Sequence, residues 1–315
     1  MVDSLIQKAT VIIEPVPPFN LALSSLVFAE GNRCVRNYQD KCFSQIVDTG
    51  DRLVCAKLTS NGCVNKPKLM LELSTEGLGF SEREKEQAVE VVSHIFSLNM
   101  PLEPFYNHVR GDFVMSQVTR KLCGFKFPTT PSVFESLIDA IVEQQISIKV
   151  ARNIEDRLAV MFGESVVVGG ETFFAFPSAA ALVEVGVNRI RQTGLSLRKA
   201  EYIYGVAQLV VDGVLDLEGL KMCDLKETVV SVLDNIRGIG VWTAELTMLR
   251  GMHRFDVFPA DDFGLRRVIS RYYCGGRSIN AVEAGQIAGA WGKWKGLAAF
   301  YLIVAEVENV VLDVF

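Results

Sequence analysis

Two short stretches carry residues whose types and spacing could do chemistry together. The segment IRGIGVWTAE at residues 236–245 places Gly238 and Gly240 just ahead of Trp242, between two stretches with a helical pattern. Glycine allows a sharp turn and a close approach of the backbone to a ligand. Backbone N–H groups at the start of the second helix would face outward and could bind an anion such as phosphate. An ordinary helix–helix turn is the alternative, because the pattern Gly-x-Gly is common.

The second stretch, FDVFPADDFGLRR at residues 255–267, carries adjacent carboxylates at Asp261 and Asp262. They follow a proline and precede a helical pattern, where a carboxylate is often only a helix cap. Their place shortly after a candidate phosphate-binding turn suggests a chemical role as well. Both interpretations stay open at the level of these residues alone.

Length and composition limit the kind of protein that positions these residues. The chain has 315 residues, of which 49% are hydrophobic and 22% charged, as expected for an ordered globular protein of two or three domains. The net charge of −5 argues weakly against an extensive nucleic-acid surface, yet local patches rather than the total attract phosphates. Cationic residues gather in the C-terminal half: Arg189, Arg191, Arg198, Lys199, Arg250, Arg254, Arg266, Arg267 and Arg271. Taken alone, this set is more typical of an ordinary solvated surface.

The cysteines and histidines indicate no metal site. The chain contains seven cysteines, none in a CxxC pair, and three histidines, so neither a zinc site nor a disulfide framework is predicted. The N-terminus lacks the pattern of a signal peptide, and the apolar stretch at 296–305 has about half the length of a membrane span. We expect an intracellular protein, in the cytoplasm (at the nucleoid) or the nucleus, with no membrane partner.

Two regions with different patterns must hold the candidate residues. Residues 1–105 contain short β-prone runs between turn residues, followed at 81–98 by a helical pattern with a serine cap. This region is expected to be an α+β module. From about residue 108 onward the pattern is helical. The helix predicted near 132–146 begins with Ser132 and Glu135 as a capping box.

The hairpin, the tryptophan and the Pro-x-Asp-Asp segment together resemble the helix-hairpin-helix (HhH-GPD) DNA glycosylase superfamily, in particular its 3-methyladenine DNA glycosylase II branch. Further segments resemble family motifs: PPFNL at 17–21, AIVEQQIS at 140–147, GLSLRKAEYI at 194–203 and WGKWKGLAA at 291–299. The resemblance implies an N-terminal α+β domain over residues 1–105, a TBP-like antiparallel sheet with helices. An all-α glycosylase core of two helical subdomains would follow over residues 106–315, with its hairpin near 236–241.

The resemblance also implies roles for residues of the predicted active site. Asp262 matches the family's catalytic aspartate, which would stabilise positive charge on the sugar or activate the attacking water. Asp261 is then expected to be the cap or a loop-shaping residue. Trp242 stands where strand-cutting members carry a Schiff-base lysine, which implies a monofunctional enzyme. Trp242 and Phe263 would line the base pocket, although Trp242 could instead fill core between helices.

Residues that contact DNA are implied in two places. The hairpin would use Gly238, Ile239, Gly240 and Thr243. The segment with Gln144 and Gln145 would fill the gap left by a flipped base, with Gln145 as the wedge and Ile146 as an alternative wedge.

The resemblance further implies a structural Na⁺ or K⁺ ion on the backbone carbonyls of Asp234, Ile236 and Ile239. No other cofactor is expected. An iron–sulfur cluster is excluded, because Cys274 is the only cysteine after Asp262.

The function expected from this resemblance is excision of alkylated or deaminated purines of the 3-methyladenine type from double-stranded damaged DNA by a monomeric, monofunctional glycosylase. Two alternatives remain: a bifunctional 8-oxoguanine-type glycosylase/lyase, and a non-catalytic helix-hairpin-helix DNA-binding protein. The sequence does not specify which lesions are preferred or whether the N-terminal domain touches DNA.

Overall fold

An antiparallel sheet forms the N-terminal part of the computed structural model, which describes residues 6–29 and 34–312. The strands are β1 (Ile6–Ile13), β2 (Arg36–Gln39), β3 (Cys42–Asp48), β4 (Leu53–Ser60) and β5 (Leu69–Glu76), in the order β1-β5-β4-β3-β2. Two helices, α1 (Leu21–Ala29) and α2 (Glu82–Ile95), belong to the same region. The predicted α+β domain with an antiparallel sheet is confirmed.

Alternation along the strands explains how this sheet is covered. Leu69, Leu71 and Leu73 are fully buried on one face, together with Val92 and Ile95 of α2. Side chains two residues apart share a face of a strand, so this row forms the core between the sheet and α2. The serine cap predicted at the start of α2 is present, and Ser81 and Glu84 form a capping box there.

The rest of the chain is mainly helical. Its helices are α3 (Glu103–Val109), α4 (Phe113–Lys121), α5 (Val133–Glu143), α6 (Ile148–Phe162), α7 (Ala179–Arg191), α8 (Leu197–Val211), α9 (Lys226–Asp234), α10 (Val241–Gly251), α11 (Phe263–Tyr273), α12 (Ala281–Gly289) and α13 (Lys295–Val307). A short hairpin of β6 (Ser165–Val168) and β7 (Glu171–Phe174) interrupts them, and the sequence analysis did not anticipate it. Val168 packs with Ile46 and Cys55 on the second face of the N-terminal sheet.

Two apolar cores hold the helices together, as expected for two helical subdomains. One core joins α5–α10. The other joins α3 and α4 to α11–α13, so it is built from two distant segments of the chain. Helix α10 contributes to both, with Met248 in the first core and Leu249 in the second. The hairpin before α10 and the start of α11 are therefore held at the junction of the two cores.

The domain division after residue 105 stays a prediction, and it falls inside α3. Leu102 and Phe105 already pack with the C-terminal helices, whereas Leu98 belongs to the core of the sheet. The change of core thus lies a few residues before the expected boundary. Among the described residues, no helix is both long enough and apolar enough to cross a membrane.

Candidate active site

The two glycines of the hairpin differ in what they do for the fold. Gly238 has φ +93°, and a Cβ placed on it would lie 2.2 Å from the ring of Tyr202. Gly240 has φ −107°, and a Cβ placed there would meet no atom within 4 Å. Positive φ, which glycine adopts readily, therefore occurs at Gly238 and not at Gly240. The fold requires Gly238, whereas Gly240 leaves open space in front of the hairpin.

Helix α10 begins directly behind that open space. Gly240 is its N-cap residue and has no side chain with which to cap the first turn. The first N–H groups of an α-helix lack acceptors within the helix, and they carry the positive end of the helix dipole. The arrangement is suited to the approach of an anionic oxygen, as predicted for a DNA phosphate.

The hairpin carbonyls predicted to hold a cation are partly engaged already. The N–H of Ile239 donates to the carbonyl of Ile236 over 3.0 Å. A carbonyl oxygen has two lone pairs, so Ile236 can still contribute to an ion together with Asp234 and Ile239. This monovalent cation site stays a prediction. Among the described residues, no group of three or more His, Cys, Asp or Glu side chains could hold a metal ion.

Asp262 and Trp242 are brought together across the junction between α10 and α11. The carboxylate Oδ1 of Asp262 accepts a hydrogen bond from the N–H of Leu265 over 2.8 Å. Its Oδ2 accepts from the indole Nε1–H of Trp242 over 3.1 Å. Both oxygens are thus held in place, and each keeps a lone pair for a further partner.

The cap of α11 is Asp262, so the expectation that Asp261 plays this part is wrong. Helix α11 starts at Phe263, which makes Asp262 its N-cap residue, while Asp261 lies exposed one position outside it. A side chain can bond the N–H groups of the first turn from the N-cap position only. The carboxylate that caps the helix is therefore the same one for which a chemical role is predicted.

Trp242 and Phe263, the predicted pair of pocket walls, differ from each other in burial. Trp242 is half-buried and points its N–H at Asp262, so it contacts the candidate catalytic group directly. Phe263 is 75% exposed, and its place in the wall of the base pocket stays a prediction. Phe263 and the buried Leu265 are two positions apart on α11, which places them on nearly opposite faces of the helix.

The predicted DNA-contacting residues outside the glycines divide into buried and exposed ones. Thr243 is 2% exposed, so its side chain is buried and its contact with DNA stays a prediction. Ile239 is also buried, at 4%. Gln144 is half-buried and donates from Nε2 to the Gly238 carbonyl and to Thr243 Oγ1, over 2.9 and 3.0 Å. Gln145 is exposed, as a wedge residue would require, and its φ is +57°.

The cationic residues of the C-terminal half have unequal roles. Arg250 pairs with Glu143 over 2.6 Å, and Arg254 donates to Asp256 and to two backbone carbonyls. These two guanidinium groups stabilise the fold. Arg198, by contrast, is exposed beside the ring of Tyr202, on which Gly238 packs.

A row of buried carboxylates lies along α5, and the sequence patterns did not predict it. Glu135, Asp139 and Glu143 are spaced four residues apart, so they share one face of the helix. Arg36 of β2, only 2% exposed, pairs with Glu135, and Arg152 of α6 pairs with Glu155 over 3.2 Å. Acidic residues at every fourth position of an otherwise apolar helix were the sequence signal that could have revealed this row.

This row corrects the predicted capping box of α5. Ser132 accepts a hydrogen bond from the N–H of Glu135, as expected. The carboxylate of Glu135 pairs with Arg36 instead of returning to the N-cap backbone. Burial, together with the neighbouring carboxylates Glu155 and Glu135, raises the pKa of Asp139 well above its usual range.

Comparison with known proteins agrees with this geometry. Residues 138–291 match the family described as HhH-GPD superfamily base excision DNA repair protein. A DNA-3-methyladenine glycosylase of Bacillus subtilis is 25% identical over 273 residues, which is 87% of this chain and 89% of the relative.

Two solved structures extend the likeness. The 3-methyladenine DNA-glycosylase from Archaeoglobus fulgidus has a TM-score of 0.84 and 28% identity, covering 96% of this chain and 100% of that chain. A DNA-3-methyladenine glycosidase from Bacillus halodurans is 34% identical with a TM-score of 0.50, covering 63% of this chain and 86% of that chain. The resemblance inferred from the sequence is confirmed, and the chain belongs to the HhH-GPD superfamily of base excision DNA repair proteins.

Proposed function

We propose that this protein is a monofunctional DNA glycosylase that removes alkylated or deaminated purines of the 3-methyladenine type from damaged double-stranded DNA. The observation that carries the proposal is the contact between Trp242 and Asp262 behind the hairpin. It combines a fixed carboxylate with an aromatic side chain at the position where strand-cutting members of the family carry lysine.

The chemistry assigned to Asp262 follows from the charge that the reaction creates. As the bond between the base and C1′ of the sugar breaks, the base leaves with the bonding electrons and positive charge develops on the sugar. A carboxylate fixed next to C1′ stabilises this charge, because its orientation needs no rearrangement during the reaction. Water then adds at C1′ and loses a proton, which Asp262 can accept.

The backbone N–H of Leu265 and the indole N–H of Trp242 each donate a hydrogen bond to one oxygen of that carboxylate. They fix the plane of the carboxyl group and leave a lone pair on each oxygen for the sugar or the water. Trp242 thereby orients Asp262, and its half-buried ring is available to a purine in the pocket. An alkylated purine often carries positive charge, which an aromatic face attracts by about 0.5–2 kcal/mol.

The missing lysine determines the expected product. Strand cleavage by a lyase requires an amine that attacks C1′ and forms a Schiff base. With tryptophan at residue 242, water is the nucleophile and the product is an abasic site in an intact strand. The monomeric state and the cation at the hairpin belong to the same proposal.

Release of free base from a panel of duplexes tests this function. Each duplex carries one of 3-methyladenine, 7-methylguanine, hypoxanthine, ethenoadenine or 8-oxoguanine, and the strand is analysed before and after alkaline cleavage. We expect release of at least one alkylated or deaminated purine and a strand that breaks only after alkali.

Two other outcomes would replace the proposal. A covalent adduct with DNA trapped by borohydride, together with release of 8-oxoguanine, would identify a bifunctional glycosylase/lyase. Tight binding of duplexes without release of any base would identify a non-catalytic DNA-binding protein.

A further inference from the structure

The loop between α5 and α6, residues 144–147, is called the wedge loop below. It contains the proposed wedge Gln145, which is exposed and has a left-handed backbone conformation at φ +57°. For a residue other than glycine this conformation costs about 1–3 kcal/mol and persists only where the surroundings hold it. Contacts of the neighbouring residue Gln144 are therefore expected to keep the loop in this shape.

One such contact is the side-chain amide of Gln144. Its Nε2 donates to the carbonyl of Gly238 over 2.9 Å and to Thr243 Oγ1 over 3.0 Å. A primary amide nitrogen has two N–H donors, and both are used here. The carbonyl of Gly238 can only accept, which determines the orientation of the amide. The wedge loop is thereby tied to the tip of the hairpin and to the first turn of α10.

A second contact binds the backbone carbonyl of Gln144. Lys199, in the first turn of α8, donates from Nζ to the carbonyls of Val142 and Gln144 over 2.7 and 2.5 Å. The last carbonyls of a helix lack partners within the helix, so the ammonium group caps α5. Burial lowers the pKa of Lys199 from its ordinary value, in agreement with its enclosed position.

We infer that Gln144 is a positioning residue, which sets the wedge loop at a fixed distance from the phosphate-binding hairpin, and that Lys199 supports it from α8. The inference rests on the proposed function and deepens it. It changes the expectation for Gln144, which was a DNA contact. Gln144 acts through the loop and the hairpin instead, because both donors of its amide are occupied within the protein.

The physical reason lies in the two contacts that flipping requires at once. The hairpin grips the backbone while the wedge fills the space left by the extruded base. If the two elements can shift relative to each other, the wedge loses its alignment with that space. A misplacement of about 1 Å can lower a rate roughly a hundredfold. A base that already lies outside the helix does not need the wedge.

The test compares two substrates that differ only in this need. One is a duplex with the lesion paired, and the other carries the same lesion in a one-nucleotide bulge. For Gln144→Met, which keeps the length of the side chain and removes both donors, we expect release from the paired duplex to fall roughly tenfold to a hundredfold. Release from the bulge should fall by less than about threefold, since proximity to Asp262 is unchanged. Lys199→Met should shift the ratio of the two rates in the same direction.

Lys226→Met is the matched control. Lys226 forms a part-buried ion pair with Glu245 over 2.9 Å, which joins α9 to α10, and neither residue belongs to the wedge loop. We expect this variant to change the melting temperature about as much as Lys199→Met while leaving the ratio of the two rates at its wild-type value. An equal fall of both rates in Gln144→Met, or no fall in either, would overturn the positioning role.

A second readout does not depend on base release. A duplex with an abasic-site analogue and a neighbouring 2-aminopurine becomes more fluorescent when a side chain enters the stack, and Gln144→Met should weaken this signal at saturating protein. If wild-type protein released no base from either substrate, the proposed function would fail, while the fluorescence would still decide the role of Gln144. An unchanged fluorescence signal in Gln144→Met would contradict the positioning role of Gln144.

Discussion

The hairpin face, which comprises the hairpin at 236–241 and Asp262, and the charged row along α5 differ in how their polar groups are buried and paired. At the hairpin face, Gly240 leaves open space and Asp262 is only half-buried, with lone pairs available to a ligand. In the row along α5, Arg36 and Glu135 are almost fully buried and bind each other. The first region keeps polar groups available for chemistry, whereas the second uses them to join the N-terminal sheet to the helices. Burial and partner atoms, more than residue type, separate function from architecture here.

The largest effect is expected when the buried row is broken. Arg36→Met should lower the free energy of unfolding by about 3–5 kcal/mol, because Glu135 would remain buried with an uncompensated charge. Urea denaturation measures this change. The double variant Arg36→Met/Glu135→Leu should recover most of the loss, since an apolar pair can replace a buried ion pair. A double variant as unstable as the single one would show that the pair is not the cause.

The next effect concerns Asp262 and separates activity from stability. Asp262→Asn should lower the rate of base release by roughly 10²–10³-fold, because the neutral amide cannot stabilise the developing positive charge. Asparagine is as good an N-cap as aspartate, so α11 and the affinity for damaged duplex should be retained. Single-turnover release and a binding titration measure the two properties. Full activity of this variant would remove Asp262 from the catalytic role.

A smaller effect should distinguish the two glycines of the hairpin. Gly238→Ala should lower the free energy of unfolding by about 1–3 kcal/mol from backbone strain. The clash with Tyr202 should add to this loss. Gly240→Ala should change stability by less than about 0.5 kcal/mol while weakening DNA binding roughly tenfold, by obstructing one hydrogen bond to phosphate. Thermal melts and DNA titrations of both variants test the contrast, which would disappear if both lost equal stability.

The smallest effect is a change in pH dependence at Asp139. The pKa of this carboxyl is raised in the folded protein, so the folded state binds more protons than the unfolded state above the unfolded pKa of about 3.9. The stabilisation from this group is therefore complete at low pH and is lost as pH rises through the raised pKa. Asp139→Asn should flatten that decline in urea denaturation measured as pH rises above about 4. The pH profile of base release should not change, because Asp139 lies outside the active site.

The turn at Gly238 and the grouping of Trp242 with Asp262 could be predicted because their signals are local. Gly238, Trp242 and Asp262 lie within 25 positions of each other on the chain, and each has a backbone or chemical reason for its residue type. The choice between Asp261 and Asp262 as the cap was wrong, since it depended on the residue at which α11 begins. The exposed position of Phe263 also depended on that start.

Other features could not be predicted from local patterns. Arg36 and Glu135 are 99 residues apart in the chain, and an arginine in a short strand carries no sign of a partner in a distant helix. The contacts of Gln144 could not be predicted for the same reason. Its two acceptors, in the hairpin and in the first turn of α10, lie more than 90 positions later in the chain.

The sequence alone determined the turn at Gly238 and which carboxylate and aromatic side chain, Asp262 and Trp242, stand near the hairpin. These properties follow from short-range sterics and from the hydrogen bonds of helix ends. The tertiary structure alone decided which polar groups are buried and with whom they pair. Burial makes an unpaired polar group costly, so Glu135 and Gln144 bind internal partners, whereas Asp262 at the exposed junction of two cores keeps lone pairs for a substrate.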